Sequence, residues 1–432
     1  MKRAIVLSGG GSKGAYQIGV WKALRKMKIK YDIVTGTSIG SVNGIMMVQK
    51  EYHKAKYLWD NISYDDIFNV KFPKKGNKVE IYKKYAVEFL KNGGMETSKI
   101  YQFMNNAYNK KKFYKSNIDY GIVTFNVSNM KPRILNKEEM KDDLIQYVLA
   151  SSTCFPAFQM TQIDDDHYVD GGYYNNLPID TAIDLGADEI IAVDLGTVFF
   201  QKKIKSKKVK ITYISPRNDI GSFLVFDKNQ AKKSMKYGYN DAMKVYKQLD
   251  GNKYTFNKGE LFKNYEKYSS KFINNLKYSL IESGTTKKIV ETLLKNTIFF
   301  KLVTKKDYKF INDSINEIME YCGELFSIDD TSIYSSSYYN YLLKKELLKC
   351  EAFSKAYIKK IMKNKKISMK TNRKAIIKYI YDEISSDNFN KIELLTIANF
   401  FQKEFLSAVY IYSILESIKI DSFFYKKRIL FI

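Results

Sequence analysis

Residues Tyr31–Val48 read YDIVTGTSIGSVNGIMMV. The stretch opens on a short β-rich run, Tyr31–Thr35. It closes on apolar residues at helical spacing, from about Ile39 through Val42, Ile45, Met46 and Val48. Between them stands Gly36-Thr37-Ser38-Ile39-Gly40, the G-x-S-x-G pattern of a nucleophile elbow between a strand and a helix. Such a turn crowds the backbone, and glycine suits both flanking positions. It throws the Ser38 side chain up at the sheet edge, near a helix N-terminus whose amides and dipole favour negative charge. The same five residues also describe an ordinary Gly-Ser turn, so their weight rests on the rest of the chain.

Upstream, Arg3–Leu7 (RAIVL) reads as a buried strand. It runs into Ser8-Gly9-Gly10-Gly11-Ser12-Lys13-Gly14 and then a helix over Ala15–Met27, with Ile18, Val20, Trp21 and Leu24 on its apolar face. Strand, glycine loop, helix, strand, elbow, helix is a β-α-β-α opening and implies an α/β fold with a parallel sheet and right-handed crossovers. Residues Glu51–Tyr108 read as mostly helical, broken at Phe72-Pro73-Lys74-Lys75-Gly76-Asn77. Further strands are expected at Asp119–Val127, His167–Val169, Asp188–Leu195 and Val209–Ile214. Helices are expected at Asp142–Ser151, Pro178–Leu185 and Gln230–Gln248.

All five prolines lie before residue 217, and from about residue 250 the chain turns to Lys, Tyr, Phe, Ile and Leu on helical spacing. Leu343, Leu347, Cys350, Phe353, Tyr357 and Ile361 make one such stripe; Leu394, Ile397, Phe401, Phe405, Ala408, Tyr412 and Leu415 make another. Such stripes read as the core of an α-helical C-terminal region. The division expected is 1–249 and 250–432, with no catalytic motif and no known function for the second part.

The chain has 432 residues and a net charge of +26, of which +14 falls up to residue 250 and +12 beyond it. Charge spread so evenly argues against a dedicated nucleic-acid module and fits attraction to anionic surfaces such as membranes. Cys154, Cys322 and Cys350 are scattered and the histidines number two, His53 and His167. A disulfide framework or a Cys/His zinc site is therefore not expected. The first strand leaves no room for a signal peptide, and no run of 18 apolar residues occurs. A cytoplasmic protein, or one peripheral at the membrane, is the expectation, with export by another route left open.

Gly9, Gly11 and Gly14 satisfy G-x-G-x-x-G between a strand and a helix, which makes a dinucleotide-binding loop a serious rival reading. A dinucleotide site wants an acid at the C-terminal end of the second strand; Asp32 stands at its start, and Ser38 occupies the far end. Consecutive glycine amides serve equally well as an oxyanion hole, where one fixed donor is worth about 3 kcal/mol. Both loops follow neighbouring parallel strands and fall on one sheet edge. A serine nucleophile also needs a base. His167 and Asp170, three apart on a strand, face opposite sides, so His167 is poorly placed to be oriented by Asp170. A dyad in which Asp170 takes the Ser38 proton directly is the better reading. A solvated carboxylate of pKa about 4 is a weak base for this, so burial would have to help.

The glycine loop Gly9–Gly14, the elbow Gly36–Gly40 and Asp170-Gly171-Gly172, in that order, resemble the patatin-like phospholipases. Ser151–Phe158 and Asn175-Asn176-Leu177-Pro178 are similar to that family's surroundings of the site. The resemblance covers about residues 1–248. It implies a three-layer α/β/α domain and a serine lipid acyl hydrolase working without metal or organic cofactor. Ser38 would be its nucleophile and Asp170 its base. The oxyanion loop would be Gly9, Gly10, Gly11, Ser12, Lys13 and Gly14, with the Gly10 and Gly11 amides as main donors. Gly36, Gly40, Gly171 and Gly172 complete the motifs. The expected partner is a lipid or a membrane surface and not a nucleic acid; a protein partner, or self-association through 250–432, stays open. A nucleotide-binding protein, or an interaction protein whose enzymatic half is silent, remains the alternative. The loop after Asp188–Leu195 should open on the Ser38 edge with Phe199, Phe200, Lys202, Lys203, Lys205, Lys207 and Lys208.

Overall fold

A computed structural model describes residues 1–70, 78–204, 209–280, 298, 301–302, 307–363, 372–386 and 390–428. The break expected at Phe72–Asn77 and the residues Lys205, Lys207 and Lys208 lie outside them. The chain divides into two units, Met1–Tyr246 and Lys247–Ile432.

The first unit is built on an eight-stranded sheet. Its strands are β1 (Arg3–Leu7), β2 (Ile33–Thr37), β3 (Asp119–Asn126), β4 (Lys131–Asn136), β5 (Thr161–Ile163), β6 (Asp166–Asp170), β7 (Glu189–Val193) and β8 (Lys210–Ile214). Their spatial order is β5-β6-β3-β2-β1-β7-β8, with β4 also paired to β3. Five strands, β1, β2, β3, β7 and β8, run parallel. The helices are α1 (Ala15–Lys26), α2 (Ile39–Val48), α3 (Tyr52–Asn61), α4 (Tyr64–Ile67), α5 (Lys78–Asn92), α6 (Ser98–Ala107), α7 (Lys110–Lys115), α8 (Lys137–Met140), α9 (Leu144–Ser152), α10 (Ile179–Asp184) and α11 (Lys228–Val245).

Strand order explains the layers. The chain steps from β1 to β2 to β3 in one direction, so right-handed crossovers put α1 and α2 on one face. The return to β7 runs through α10, which therefore covers the other. Alternation along the central strands serves both faces. Ala4, Val6, Ile190 and Ala192 pack with Leu177, Ile179 and Ala182 on the α10 side, while Ile5, Leu7, Ile191 and Val193 are buried on the other.

The sheet departs from the expected all-parallel pattern at one edge, where β4, β5 and β6 run antiparallel. Short connections force this: Asp164 and Asp165 alone join β5 to β6, and a parallel pair needs a long crossover. Strands β4 and β5 escape periodicity because one is mostly exposed and holds Pro132, and the other has three residues.

The second unit is helical, as the composition shift implies, but it also holds a small sheet of Leu249–Asp250, Thr255–Asn257 and Ile333–Tyr334. The expected stripes are core: Leu343, Leu347, Ile361, Leu394, Ile397, Phe401, Phe405 and Ala408 are all buried in one cluster. Each stripe spans two helices instead of one. Ser336–Leu348 and Lys355–Lys363 share the first, Lys391–Phe400 and Gln402–Arg428 the second. Tyr357 is 44% exposed, off the core.

Candidate active site

At the end of β2 the backbone reverses into α2 through a single residue. Ser38 has φ 56° and ψ −129°, a left-handed conformation that costs a non-glycine residue about 1–3 kcal/mol unless the surroundings impose it. They do so here. The Ser38 amide donates to Ser151 Oγ at 3.0 Å, and Ser151 Oγ donates to the Val123 carbonyl at 2.7 Å. The turn closes so tightly that a Cβ on Gly36 would come within 2.4 Å of the Gly40 carbonyl group. One on Gly40 would lie 2.3 Å from the Leu7 carbonyl oxygen.

Sheet register brings Asp170 to the same place. Thr37 pairs with Val123 on β3, and the next residue, Thr124, pairs with Asp170 on β6. Strand β4 takes the other edge of β3 over Gly121–Asn126, so β2 and β6 share one edge end to end, and Ser38 and Asp170 meet where their ladders adjoin. Asp170 is 2% exposed, its amide donates to the Thr153 carbonyl at 3.0 Å, and its Oδ1 accepts the Gly172 amide at 2.7 Å. Burial pushes its carboxyl up to about 6, against the nearby Ser38 hydroxyl and the Gly172 amide, which pull it down. A group titrating there is a far better base near neutrality than a solvated carboxylate.

The glycine loop supplies the third side. Of the six residues expected to form the oxyanion loop, three have amides already committed. Gly9 donates to the Asn176 carbonyl at 3.1 Å, Ser12 to the Phe223 carbonyl at 2.8 Å and Lys13 to the Gly10 carbonyl at 3.1 Å. Those three amides fasten the loop in place. The Gly10 and Gly11 amides have no acceptor among the described residues, and both residues line the cleft with Ser38. The loop is held from behind by buried side chains. Asn43 on α2 donates to the Gly14 carbonyl at 3.0 Å and to Gln17 Oε1 at 2.8 Å, Gln17 donates to the Ser8 carbonyl, and Trp59 donates to Asn43 Oδ1.

Ser38, Asp170, Gly10 and Gly11 meet in a cleft of about 670 Å³, counted out to open solvent. Its walls are apolar, among them Val42, Ile62, Ile67, Met104, Phe158 and Phe226. Cys154 also lines it, but burial and the Asp170 carboxylate push its thiol up to about 12, so it stays protonated. Both histidines are exposed and neither lines the cleft. Asp32 accepts the Arg3 amide at 2.9 Å, at the opposite end of the sheet from Ser38. Among the described residues, no group of three or more His, Cys, Asp or Glu side chains is placed to hold a metal ion, and no helix is long and apolar enough to cross a membrane. Strand β7 is parallel to β1, and the loop after it reaches the cleft through Phe199.

Sequence reasoning named the stretches around Ser151 and Asn176 without giving them a role. Ser151 orients the elbow amide. Asn176 fastens the loop with its carbonyl, and its side chain donates to Thr197 Oγ1 at 2.9 Å. Phe223, which accepts the Ser12 amide and walls the cleft, carried no signal, because it acts through a backbone carbonyl and a ring that many residues could supply.

The fold and site define an α/β domain that presents a serine on a strand–helix elbow beside a buried aspartate and a glycine-rich loop. Residues 5–183 match the family model described as Patatin, patatin-like phospholipase, and this segment belongs to that family. Over 197 residues the chain is 27% identical to patatin-like phospholipase domain-containing protein 7 of Rattus norvegicus, covering 45% of this chain and 14% of that protein. It is 29% identical over 196 residues to patatin-like phospholipase domain-containing protein 6 of Homo sapiens, covering 45% of this chain and 13% of the relative. It is 28% identical over 204 residues to lysophospholipase nte1 of Aspergillus terreus, covering 45% and 12%. The match thus takes in about one seventh or less of these relatives. The solved structure of VipD from Legionella pneumophila aligns over 95% of this chain and 91% of its own, with 13% identity and a TM-score of 0.37.

Proposed function

We propose that the first unit is a serine lipid acyl hydrolase. Ser38 Oγ attacks the ester carbonyl as the Asp170 carboxylate takes its proton. The carbonyl oxygen becomes an oxyanion facing the Gly10 and Gly11 amides, whose fixed position costs no reorganisation as charge develops. The proton on Asp170 passes to the departing alcohol, leaving an acyl group on Ser38. Water, activated by the same carboxylate, then releases the acid and restores the serine. The apolar walls suit an acyl chain, and the relatives named phospholipase and lysophospholipase support a glycerophospholipid ester as substrate class. Residues 1–249 would carry this activity and 250–432 some other role.

The observation that carries the reading is the buried Asp170 carboxyl, raised to about 6 by burial and lining the same apolar cleft as Ser38 and the Gly10 and Gly11 amides, which are free among the described residues. The test is labelling of the full chain with a fluorophosphonate probe, together with hydrolysis of a short-chain ester. Wild type should label and turn over. Ser38→Ala should do neither while melting at the wild-type temperature. Residual turnover in Ser38→Ala would end the acyl-enzyme mechanism.

A further inference from the structure

Helix α5 has two apolar faces. Ile81 and Tyr85 are buried. Tyr85 packs edge-on against Phe68 with centroids 5.5 Å apart, and its hydroxyl donates to the carbonyl of Leu224, a cleft residue. The opposite side of such a helix is ordinarily polar. Here Val79, Tyr82, Ala86 and Leu90 recur at three- and four-residue spacing and all are exposed, Leu90 by 82%. Val87 and Phe89 widen the row. Single exposed apolar residues need no explanation, but a continuous row does.

The row leads to the mouth of the cleft. Phe89 packs on Phe155 at 5.7 Å, the Tyr173 hydroxyl donates to the Phe155 carbonyl, and the Tyr173 ring meets Phe199, a cleft wall, at 6.2 Å. Beside Phe199, Val198 is fully exposed and Phe200 is 61% exposed. Lys83, Lys91 and Lys203, all exposed, flank this rim.

We propose that the outer face of α5 and the Val198–Phe200 tip form a docking surface for an anionic lipid bilayer, with the cleft mouth opening onto it. The purpose of the surface rests on the lipid-hydrolase reading of the Ser38 site; its existence does not. A protein seated on the rim would close the way in, whereas a bilayer supplies substrate through it. The charge is complementary: the flanking lysines belong to a unit of strong positive charge, and polybasic rims are drawn to anionic lipid within a Debye length.

The test is co-sedimentation of the full chain with vesicles of phosphatidylcholine alone or mixed with phosphatidylglycerol. Wild type should bind the mixed vesicles, and less so as salt rises. The triple variant Leu90→Ser, Val198→Ser, Phe200→Ser should bind at least tenfold more weakly, and so should Lys83→Gln, Lys91→Gln, Lys203→Gln. Both should melt like wild type and hydrolyse a soluble short-chain ester at the wild-type rate. Equal vesicle binding by wild type and both variants overturns the proposal. So does a wild type that stays off vesicles but self-associates through this face, which would make a second copy the occupant. If binding follows expectation while no ester is cleaved, the docking surface stands and the enzymatic reading falls.

Discussion

Replacing Asp170 by asparagine should strengthen the fold while disabling the site, and pH should tell the two effects apart. The Asp170 carboxyl is held near 6 against an ordinary 3.8, with burial as the main cause. The difference is about two pH units, each worth about 1.4 kcal/mol, so the ionised carboxylate costs the folded state about 3 kcal/mol. The sign follows from linkage. Below about pH 3.8 both folded and unfolded chains hold the proton and nothing is lost. As pH rises through 3.8 the unfolded chain ionises first, and stability falls until the folded carboxyl ionises near 6. Asparagine keeps an oxygen for the Gly172 amide and never ionises. The variant should therefore match wild type near pH 4, draw ahead through pH 6 and hold a lead of about 3 kcal/mol at pH 7 and above. In a unit of this size that is roughly 6–12 °C in melting temperature. The chain's two tryptophans, Trp21 and Trp59, both lie in the first unit, so their fluorescence follows its melting without interference from the second. Turnover of a soluble ester should fall about 10²–10⁴-fold in the variant, and wild-type kcat/KM should decline below about pH 6. A variant no more stable than wild type at pH 7, or a stability gap that ignores pH, would refute the picture of a carboxylate raised by desolvation.

Three further outcomes follow from the same geometry. Ser151→Ala removes the acceptor of the Ser38 amide; leaving that buried donor unpaired should cost about 1–3 kcal/mol in a melting curve, with kcat falling more than KM rises. In Gly10→Ala the new methyl comes within 2.8 Å of Leu195 Cδ1, the end of a flexible side chain, so the protein should fold; kcat should drop up to about 10²-fold with KM little changed, as for a donor that acts on developing charge. His53→Gln and His167→Gln, both changes at exposed positions outside the cleft, should each leave the pH–rate profile of a soluble ester unaltered.

The elbow is legible because a short β-rich run gives way to apolar residues at helical spacing across five residues, and the two glycines mark where the backbone must squeeze. Burial of β1, β2 and β7 is likewise written in their apolar runs. Other features are not local. The committed amides of Gly9 and Ser12 could not be foreseen, since their acceptors, Asn176 and Phe223, lie far along the chain. The approach of Asp170 to Ser38 depends on the registers of β2 and β6 along one edge of β3, and β3 itself reads the same in any register. Strand β4 pairs Pro132 with Phe125 at a sheet margin, where a missing amide is tolerated and no apolar alternation is needed. The outer row of α5 is visible as apolar letters, but only burial of Ile81 and Tyr85 shows that those letters serve two sides.

The position of β1 has a consequence for how the protein is made. This strand sits mid-sheet, with β2 on one flank and β7 on the other. On the ribosome β2 emerges within a few tens of residues, but β7 begins only at Glu189. Until then the far flank of β1 is a raw strand edge, a template for pairing with other chains. Pairing at such sequence separation is slow, and half-built α/β sheets are prone to aggregate. The same delay also acts as a safeguard. Ser38 is translated early, yet Asp170, the Asn176 clasp on the glycine loop and the Phe223 wall all come later. A nascent chain carries the serine of the proposed site long before the rest of that site exists, so the proposed activity waits on completion of the sheet.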